Sequence, residues 1–178
     1  CIYLGKHEEA VDFSNNIIKQ DIHNAEAYFL KAYAFKSMND TLKAISTFQT
    51  CLDQDPDMYK AHMQLGLLYS DQRNMLAVSY FDNAKKLKPD VLNPVYAKAM
   101  FYQNSNQHRE AKLTYQEIIN SNSQFEKAYY NLGYIYLKED SLEKARRMFS
   151  LAIGISPYYT DAFYNRGLCH EKDNNLNE

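Results

Sequence analysis

Residues 126–159 read EKAYYNLGYIYLKEDSLEKARRMFSLAIGISPYY and contain two apolar segments joined by a short polar stretch. In both segments small and apolar residues recur every three or four positions, which is the spacing of one face of an α-helix. In the first segment they are Tyr129, Leu132, Gly133 and Tyr136, and in the second Ala145, Phe149 and Ala152. Pro157 has no amide hydrogen to donate, so it ends the second segment. The stretch therefore predicts two successive helices.

The same arrangement recurs along the chain in four columns of residues. In each column the residues follow one another at a constant spacing, equal to the distance in sequence from Gly133 to Gly167. One step in each column is shorter by one residue. The small columns are Ala32, Gly66, Ala99, Gly133, Gly167 and Ala10, Ala44, Ala77, Ala111, Ala145; the aromatic column is Phe48, Phe81, Tyr115, Phe149; the closing column is Pro56, Pro89, Ser123, Pro157. A fixed period of this length is typical of stacked helix pairs, because one pair cannot bury its apolar face alone.

The columns divide the chain into repeat units. Four units are complete and two partial units flank them: 1–24, 25–58, 59–91, 92–125, 126–159 and 160–178. The second complete unit is one residue short, since the step from Gly66 to Ala77 is one position shorter than the step from Gly133 to Ala145. We place this deletion between Tyr69 and Met75, in the turn around 72–74. Because each flanking unit lacks part of a helix pair, we expect the chain to be a fragment of a longer array.

Few residues in this chain break helices. It contains five glycines and four prolines in 178 residues, which favours helices over the many tight turns of a β-protein. We expect the three glycines of the first small column to lie where paired helices cross. Asp140 with Glu143, and Ser123 with Glu126, have the spacing of capping boxes at predicted helix starts. Pro94 falls outside the columns, in a first helical turn where proline is tolerated.

The pattern of residues 129–157, Y-x-x-L-G-x-x-Y followed by A-x-x-x-F and a closing proline, resembles the tetratricopeptide repeat and recurs over the whole chain. The departures are Ala32 and Ala99 for glycine, Cys51 and Ile118 for a small alanine, and Ser123 for proline. The resemblance implies an all-α fold, a right-handed superhelical solenoid of antiparallel helix pairs. A rival helical repeat that binds RNA has a period one residue longer, and a net charge of −2 also disfavours a nucleic-acid partner.

In this family the first helices of the pairs line a concave groove that binds peptides. The resemblance therefore points to first-helix residues outside the packing columns. The predicted peptide-binding residues are Phe29, Tyr33, Lys60, Met63, Gln64, Tyr96, Met100, Lys127, Tyr130, Asn131, Tyr134, Tyr164 and Asn165.

Two features of this set are in register. Tyr96, Tyr130 and Tyr164 follow one another at the period of the repeat and form a stripe of rigid rings, which make contacts at low entropic cost. Asn131 and Asn165 follow one residue later in their repeats. An amide carries both a donor and an acceptor, so it can pair with a peptide backbone without reading its side chains.

Both features also have a second interpretation. Aromatic rings at this spacing pack between repeats, and an asparagine can be solvated or can join two helices. The asparagines are similar to the asparagine ladder of O-linked N-acetylglucosamine transferases, although Ala97 interrupts the series. The first helices lack the Lys and Asn pair with which a chaperone-binding subgroup holds a C-terminal carboxylate. Binding of chaperone tails is therefore disfavoured.

No pattern in the sequence indicates catalysis or a cofactor. There is no glycine-rich phosphate loop and no nucleophile elbow, and the five histidines lack metal-ligand spacing. These histidines are His7, His23, His62, His108 and His170. The three cysteines are far apart and odd in number, so we expect neither a disulfide framework nor a zinc site. We predict no catalytic, metal-binding or cofactor-binding residue, no cofactor, and no membrane span.

We therefore expect a non-catalytic scaffold or adaptor that binds a protein or peptide in the concave groove. One alternative is a structural module that self-associates through its end repeats or convex face. Another is the targeting domain of a larger enzyme such as a glycosyltransferase. The sequence does not determine the cellular compartment, although the cysteine content weakly favours the cytoplasm. The alternative is a bacterial protein that is periplasmic or lipid-anchored through Cys1.

Overall fold

A computed structural model describes residues 6–175, and every regular element in that range is an α-helix. The helices are α1 His7–Gln20, α2 Ala25–Ser37, α3 Thr41–Gln54, α4 Tyr59–Asp71, α5 Leu76–Leu87, α6 Asn93–Asn104, α7 His108–Ser121, α8 Glu126–Lys138, α9 Leu142–Ile155 and α10 Thr160–Asn175. The all-α helical-repeat fold predicted from the sequence is confirmed. The lipid anchor considered at Cys1 falls outside the described residues.

The described residues form two compact units, 6–94 and 95–175. In the first unit α2 packs against α1 and α3, and α4 packs against α3 and α5. In the second unit α8 packs against α7 and α9, while α10 packs against α9 and touches α8. These helices thus contact their neighbours in sequence within each unit, as expected of stacked pairs. The handedness of the array and the repeat boundaries stay predictions.

The predicted columns form the cores of both units. The aromatic column is at most 1% exposed, and the alanines of the small columns are 0% exposed except for Ala10 at 7%. A further buried column was not recognised in the sequence, although it has the same period: Ala34, Leu68, Phe101, Ile135 and Cys169. The residues of this column differ in size and chemistry, so only their spacing identifies them as a column.

Glycine is required where an aromatic ring lies directly on the helix backbone. A Cβ atom added to Gly66 would lie 2.5 Å from Cε1 of Phe81, and one added to Gly133 would lie 2.9 Å from Cε1 of Phe149. These two glycines are helix-crossing contacts, as predicted. At Gly167 no described atom lies within 4 Å of the added Cβ, and a second helix following α10 falls outside the described residues, so the prediction for Gly167 is not tested. None of the described helices covers that side of α10.

Four of the first helices end in the same left-handed turn. Asn39, Arg73, Asn106 and Asp140 have φ between 52° and 59°, and the amide of the following residue donates to a carbonyl five residues back. This is the Schellman arrangement, which satisfies the last carbonyls of a helix. The capping box predicted at Asp140 is therefore wrong, since Asp140 closes α8. The cap of α9 is Ser141, which makes no side-chain cap bond.

The other predicted capping box is also absent. The residue that caps α8 is Phe125, not Ser123, and it makes no side-chain cap bond. Side-chain caps occur instead at Asn24, which accepts from the amide of Ala27, and at Asp40, which accepts from the amide of Lys43. The same left-handed turn, held by backbone hydrogen bonds, precedes α3, α5, α7 and α9, so side-chain caps there are optional.

The backbone hydrogen bonds place the one-residue deletion where the connecting turn meets the start of α5. The left-handed residue of that turn, Arg73, is as far from the start of α4 as Asn39 is from the start of α2. The amide of Ala77 bonds to the carbonyl three residues back, at Asn74, whereas the amide of Ala44 bonds four residues back. The deletion therefore falls between Arg73 and Ala77, and a tighter turn at the start of α5 accommodates the shorter segment.

Pro94 belongs to a column, contrary to the sequence prediction. It is fully buried and is in register with four buried alanines, namely Ala27, Ala61, Ala128 and Ala162. Proline fits this position because an amide in the first helical turn has no partner inside the helix.

Replacing Gly66 with alanine should destabilise the protein. The added methyl group meets a buried ring, and overpacking costs about 1–3 kcal/mol against about 1 kcal/mol gained in helix propensity. We expect a net loss of about 1 kcal/mol in the free energy of unfolding, measured by urea denaturation. Gly154→Ala is the matched control: its Cβ meets open space, so stability should rise. Equal effects of the two substitutions would contradict the packing role of Gly66.

Replacing Arg73 with glycine should stabilise the protein. An L-residue in the left-handed region costs about 1–2 kcal/mol, while glycine costs about 0.5–1 kcal/mol in unfolded-state entropy. The melting temperature should therefore rise, corresponding to a gain of about 0.5–1 kcal/mol. Arg73→Ala keeps the Cβ atom and removes the charge, so it should change little. A gain in the alanine variant alone would show that charge, not backbone strain, is relieved.

Candidate functional site

The predicted peptide-binding residues all lie on first helices, and each unit carries its own set. Five belong to the first unit, on α2 and α4: Phe29, Tyr33, Lys60, Met63 and Gln64. Eight belong to the second unit, on α6, α8 and α10: Tyr96, Met100, Lys127, Tyr130, Asn131, Tyr134, Tyr164 and Asn165.

In the first unit, Phe29 lies between the core and the surface. Its ring centroid is 5.5 Å from that of Phe48 and 6.3 Å from that of Tyr33. The Lys60 ammonium lies 5.8 Å above the Phe29 ring and 3.9 Å from a Glu26 carboxylate oxygen. Phe29 is therefore partly a packing residue, while Tyr33 and Lys60 are exposed.

Gln64 accepts a hydrogen bond from Lys36, a residue that no sequence pattern indicated. The Lys36 ammonium donates to Oε1 of Gln64 over 2.6 Å, and it is half-buried. Burial lowers the pKa of Lys36, and the negative charge of Asp71 partly opposes this effect. The two partners belong to different repeats and are far apart in sequence, so only the stacking of α2 on α4 could reveal the pair. Met63, the remaining predicted residue of this unit, is half-buried.

In the second unit the predicted tyrosines and asparagines bond to each other. Nδ2 of Asn131 donates to the Tyr96 hydroxyl over 3.0 Å, and Nδ2 of Asn165 donates to the Tyr130 hydroxyl over 3.1 Å. Each asparagine also donates to the carbonyl four residues earlier in its own helix. The helix-to-helix interpretation of the asparagines is therefore correct, and it repeats with the period of the array.

These hydrogen bonds use both amide hydrogens of each asparagine and leave the amide oxygen as its remaining hydrogen-bonding group. With both N–H groups of Asn131 and Asn165 used, the amide oxygens accept no hydrogen bond from any residue between 6 and 175, and neither oxygen is fully enclosed. The side chains themselves are only 7% and 8% exposed. Each asparagine thus presents a fixed acceptor, whose orientation depends on a tyrosine of the preceding repeat.

The tyrosine stripe divides into packing and exposed members. The ring of Tyr96 lies 5.3 Å from that of Phe125, and the ring of Tyr130 lies 4.8 Å from that of Tyr159. Burial raises the pKa of both Tyr96 and Tyr130, and the asparagine hydrogen bonds oppose it. Tyr164, in the same column, is 67% exposed. Two of the three predicted contact rings therefore stabilise the array.

A cleft of about 580 Å³ lies between α8 and α10 and includes two predicted residues, Tyr134 and Asn165. We call it the α8–α10 cleft. Its remaining lining residues are Leu137, Lys138, Asp140, Leu168, Glu171 and Lys172. These positions were not predicted, because most of them lie towards the ends of α8 and α10. Lys138 lies 5.4 Å over the Tyr134 ring.

Two further predicted residues have structural partners. The Sδ atom of Met100 lies 3.1 Å from the hydroxyl of Tyr115, which also donates to Oε1 of Gln103 over 2.8 Å. Lys127 is exposed, and its carbonyl accepts the hydrogen bond of Asn131. Neither side chain lines the α8–α10 cleft.

The described cysteines are buried thiols. Cys51 and Cys169 are both 0% exposed, and burial raises the pKa of the Cys51 thiol to about 12. Over residues 6–175 no group of three or more His, Cys, Asp and Glu side chains is placed to hold a metal ion. In the same range, no helix is both long and apolar enough to cross a membrane.

Replacing Tyr96 with phenylalanine tests the orienting hydrogen bond. The substitution keeps the ring and removes the acceptor of Asn131, so the free energy of unfolding should fall by about 1 kcal/mol. Tyr129→Phe is the matched control on α8, because its hydroxyl has no bonding partner in the described part of the chain. A double-mutant cycle with Asn131→Ala should show coupling for Tyr96. Additive effects would mean that the hydrogen bond contributes nothing.

Several known proteins are similar to this chain. The human protein O-mannosyl-transferase TMTC3 is 24% identical over 170 residues, which cover 86% of this chain and 18% of TMTC3. The chain thus spans about a fifth of the length of that relative. MamA from Desulfovibrio magneticus RS-1 has a TM-score of 0.76 at 17% identity, covering 89% of this chain and 90% of MamA. YrrB, described as a protein with an unusual peptide-binding site, has a TM-score of 0.69 at 21% identity, covering 93% and 86%.

The two structural similarities show the fold, and the repeat itself shows the family. The tetratricopeptide repeat profile matches residues 25–58, 94–125 and 126–159, more than half of the chain. The helix pairs and the small and aromatic columns are present within these stretches, and Pro56 and Pro157 close two of the three. The chain belongs to the tetratricopeptide repeat family.

Proposed function

We propose that the protein is a non-catalytic scaffold that binds an extended peptide segment of a partner protein in the α8–α10 cleft. The observation that carries the proposal is that Asn165 lines this cleft with both of its amide hydrogens used, while its oxygen is not fully enclosed and accepts no hydrogen bond from the described residues. The oxygen is a fixed acceptor, and a backbone N–H of a ligand is the group that it fits. Binding through backbone groups suits a scaffold with several partners.

The apolar part of the cleft supports the same function. Leu137 and Leu168 line it beside the ring of Tyr134, so a ligand side chain of moderate size would lose its contact with water there. Rings and aliphatic side chains around one or two oriented polar groups are the usual composition of a binding site.

The charges in the cleft are balanced. Lys138 and Lys172 oppose Asp140 and Glu171, and the Lys172 ammonium lies 2.9 Å from a carboxylate oxygen of Asp140. The cleft therefore selects neither a strongly acidic nor a strongly basic segment. Electrostatics should affect the association rate more than the affinity.

The similar proteins support this proposal to different extents. YrrB is itself described as having a peptide-binding site, and it shares the fold. A second candidate function, the targeting domain of a larger enzyme, is supported by the similarity to TMTC3, a transferase of which this chain matches 18%. The two candidates are compatible, since a targeting domain also acts by binding.

Selection from a random peptide library tests the proposal. Peptides selected on the immobilised protein should bind Tyr134→Ala and Lys138→Glu at least about tenfold more weakly in calorimetry, because both residues line the cleft. Lys138 is exposed, so its variant should keep the wild-type circular dichroism spectrum and melting temperature.

The control removes the same residue types elsewhere in the second unit. Tyr158 is 94% exposed, Lys144 is exposed, and neither lines the cleft. Tyr158→Ala and Lys144→Glu should leave the affinity unchanged. If the selected peptides bind all four variants equally well, the α8–α10 cleft is not the binding site.

A further inference from the structure

The Lys36 ammonium, between α2 and α4, is a cation that contacts no carboxylate of residues 6–175. It is half-buried, and it donates to a neutral group, Oε1 of Gln64, over 2.6 Å. An ammonium carries three donors, so two remain for another acceptor. Burial lowers the pKa of Lys36, which means that the charge is held there at a cost in free energy. A partly buried charge of this kind is most stable when an anion pairs with it.

Two partly exposed apolar side chains flank this ammonium. Tyr33 is 38% exposed and precedes Lys36 by one helical turn, and Leu67 is 37% exposed and follows Gln64 by one turn. Residues one turn apart on a helix are neighbours on its surface. Because Lys36 bonds to Gln64, the four residues form one surface across α2 and α4. We call this surface of Tyr33, Lys36, Gln64 and Leu67 the Lys36 patch.

The Lys36 patch has the same positions as part of the α8–α10 cleft, with one change of chemistry. Three of its four positions have similar equivalents there: Tyr33 for Tyr134, Leu67 for Leu168 and Gln64 for Asn165. At the fourth, Lys36 stands where the cleft has Leu137, which is only 8% exposed. An apolar side chain therefore fits this position, and the fold does not require a lysine there.

The chemistry of the patch favours an acidic ligand group beside an apolar one. A carboxylate forms strong, charge-assisted hydrogen bonds with an ammonium, and partial burial strengthens their attraction relative to bulk water. The exposed parts of Tyr33 and Leu67 provide apolar contact on either side. In the α8–α10 cleft, by contrast, the charges are balanced, so the two surfaces should prefer different peptide segments.

We propose that the Lys36 patch binds a peptide segment of a partner protein in which an aspartate or glutamate side chain lies beside an apolar one. The carboxylate accepts hydrogen bonds from the Lys36 ammonium, and the apolar side chain packs on Tyr33 and Leu67. The patch lies in the first unit and shares no residue with the α8–α10 cleft. The proposal therefore does not depend on the function proposed for that cleft.

Two matched libraries of short peptides test the proposal, one with glutamate at the central position and one with glutamine. All peptides are acetylated and amidated, so that no terminal charge contributes. Selection uses the full chain with Lys138→Glu, which alters the α8–α10 cleft and leaves the patch intact. We expect binders from the glutamate library. In calorimetry, exchanging that glutamate for glutamine should weaken binding at least about tenfold.

Replacing Lys36 separates recognition of the ligand from stacking of the helices. Lys36→Met should abolish the difference between glutamate and glutamine peptides. It should keep the wild-type circular dichroism spectrum and melting temperature, because the equivalent position of α8 is apolar. Lys31→Met is the matched control: it removes the same charge from a different side of α2 and should keep the full preference for glutamate.

Replacing Asp71 should have the opposite effect on affinity. Asp71 is exposed, and its negative charge acts on Lys36. The same charge repels a carboxylate bound at the ammonium. Asp71→Asn should therefore strengthen binding of the glutamate peptides and leave the glutamine peptides unchanged.

Four results would overturn the proposal. Failure to select any binder, or equal affinity for glutamate and glutamine peptides, would mean that the patch recognises no carboxylate. A preference for glutamate that survives in Lys36→Met would assign the carboxylate to another cation. Binding only of glutamine peptides with a free carboxyl end would identify the ligand group as a chain terminus. A lower melting temperature of Lys36→Met with unchanged peptide preference would leave Lys36 a purely structural role.

Discussion

The close contact between a small residue on one helix and an aromatic ring on its partner organises each helix pair. At Gly66 and Gly133 the ring lies so near the backbone that even one methyl group has no room. Where alanine stands in this column, at Ala32 and Ala99, the residue is 0% exposed. Close packing of this kind gains dispersion energy over the whole ring and excludes water from both helices.

The fold was predictable because this contact repeats with a fixed period. The small, aromatic and closing columns each have a narrow chemistry, so their spacing alone revealed the pairs. The turns were harder to predict. Asn39 and Asp140 suggest left-handed geometry, but Arg73 does not, and a capping box was assigned where a Schellman turn occurs. A turn of this kind is held by backbone hydrogen bonds, which nearly any residue can make.

The candidate site was only partly predictable. Of the predicted first-helix residues, Tyr134 and Asn165 line the α8–α10 cleft. However, Tyr96 and Asn131 bond to one another from different repeats, and no local pattern distinguishes such a pair from two ligand contacts. In each such pair the tyrosine of one repeat orients the asparagine of the next. The same hydrogen bond therefore both joins two repeats and fixes the orientation of the amide oxygen.

The central claim is that the ring contact over the small column, more than helix propensity, stabilises the first helix of each pair. Hydrogen exchange of the wild-type protein, followed by mass spectrometry, tests it most directly, since α8 and α10 carry the same column with and without a ring over the glycine. The account predicts that amides around Gly133 exchange far more slowly than amides around Gly167. Equal protection of the two helices would contradict it.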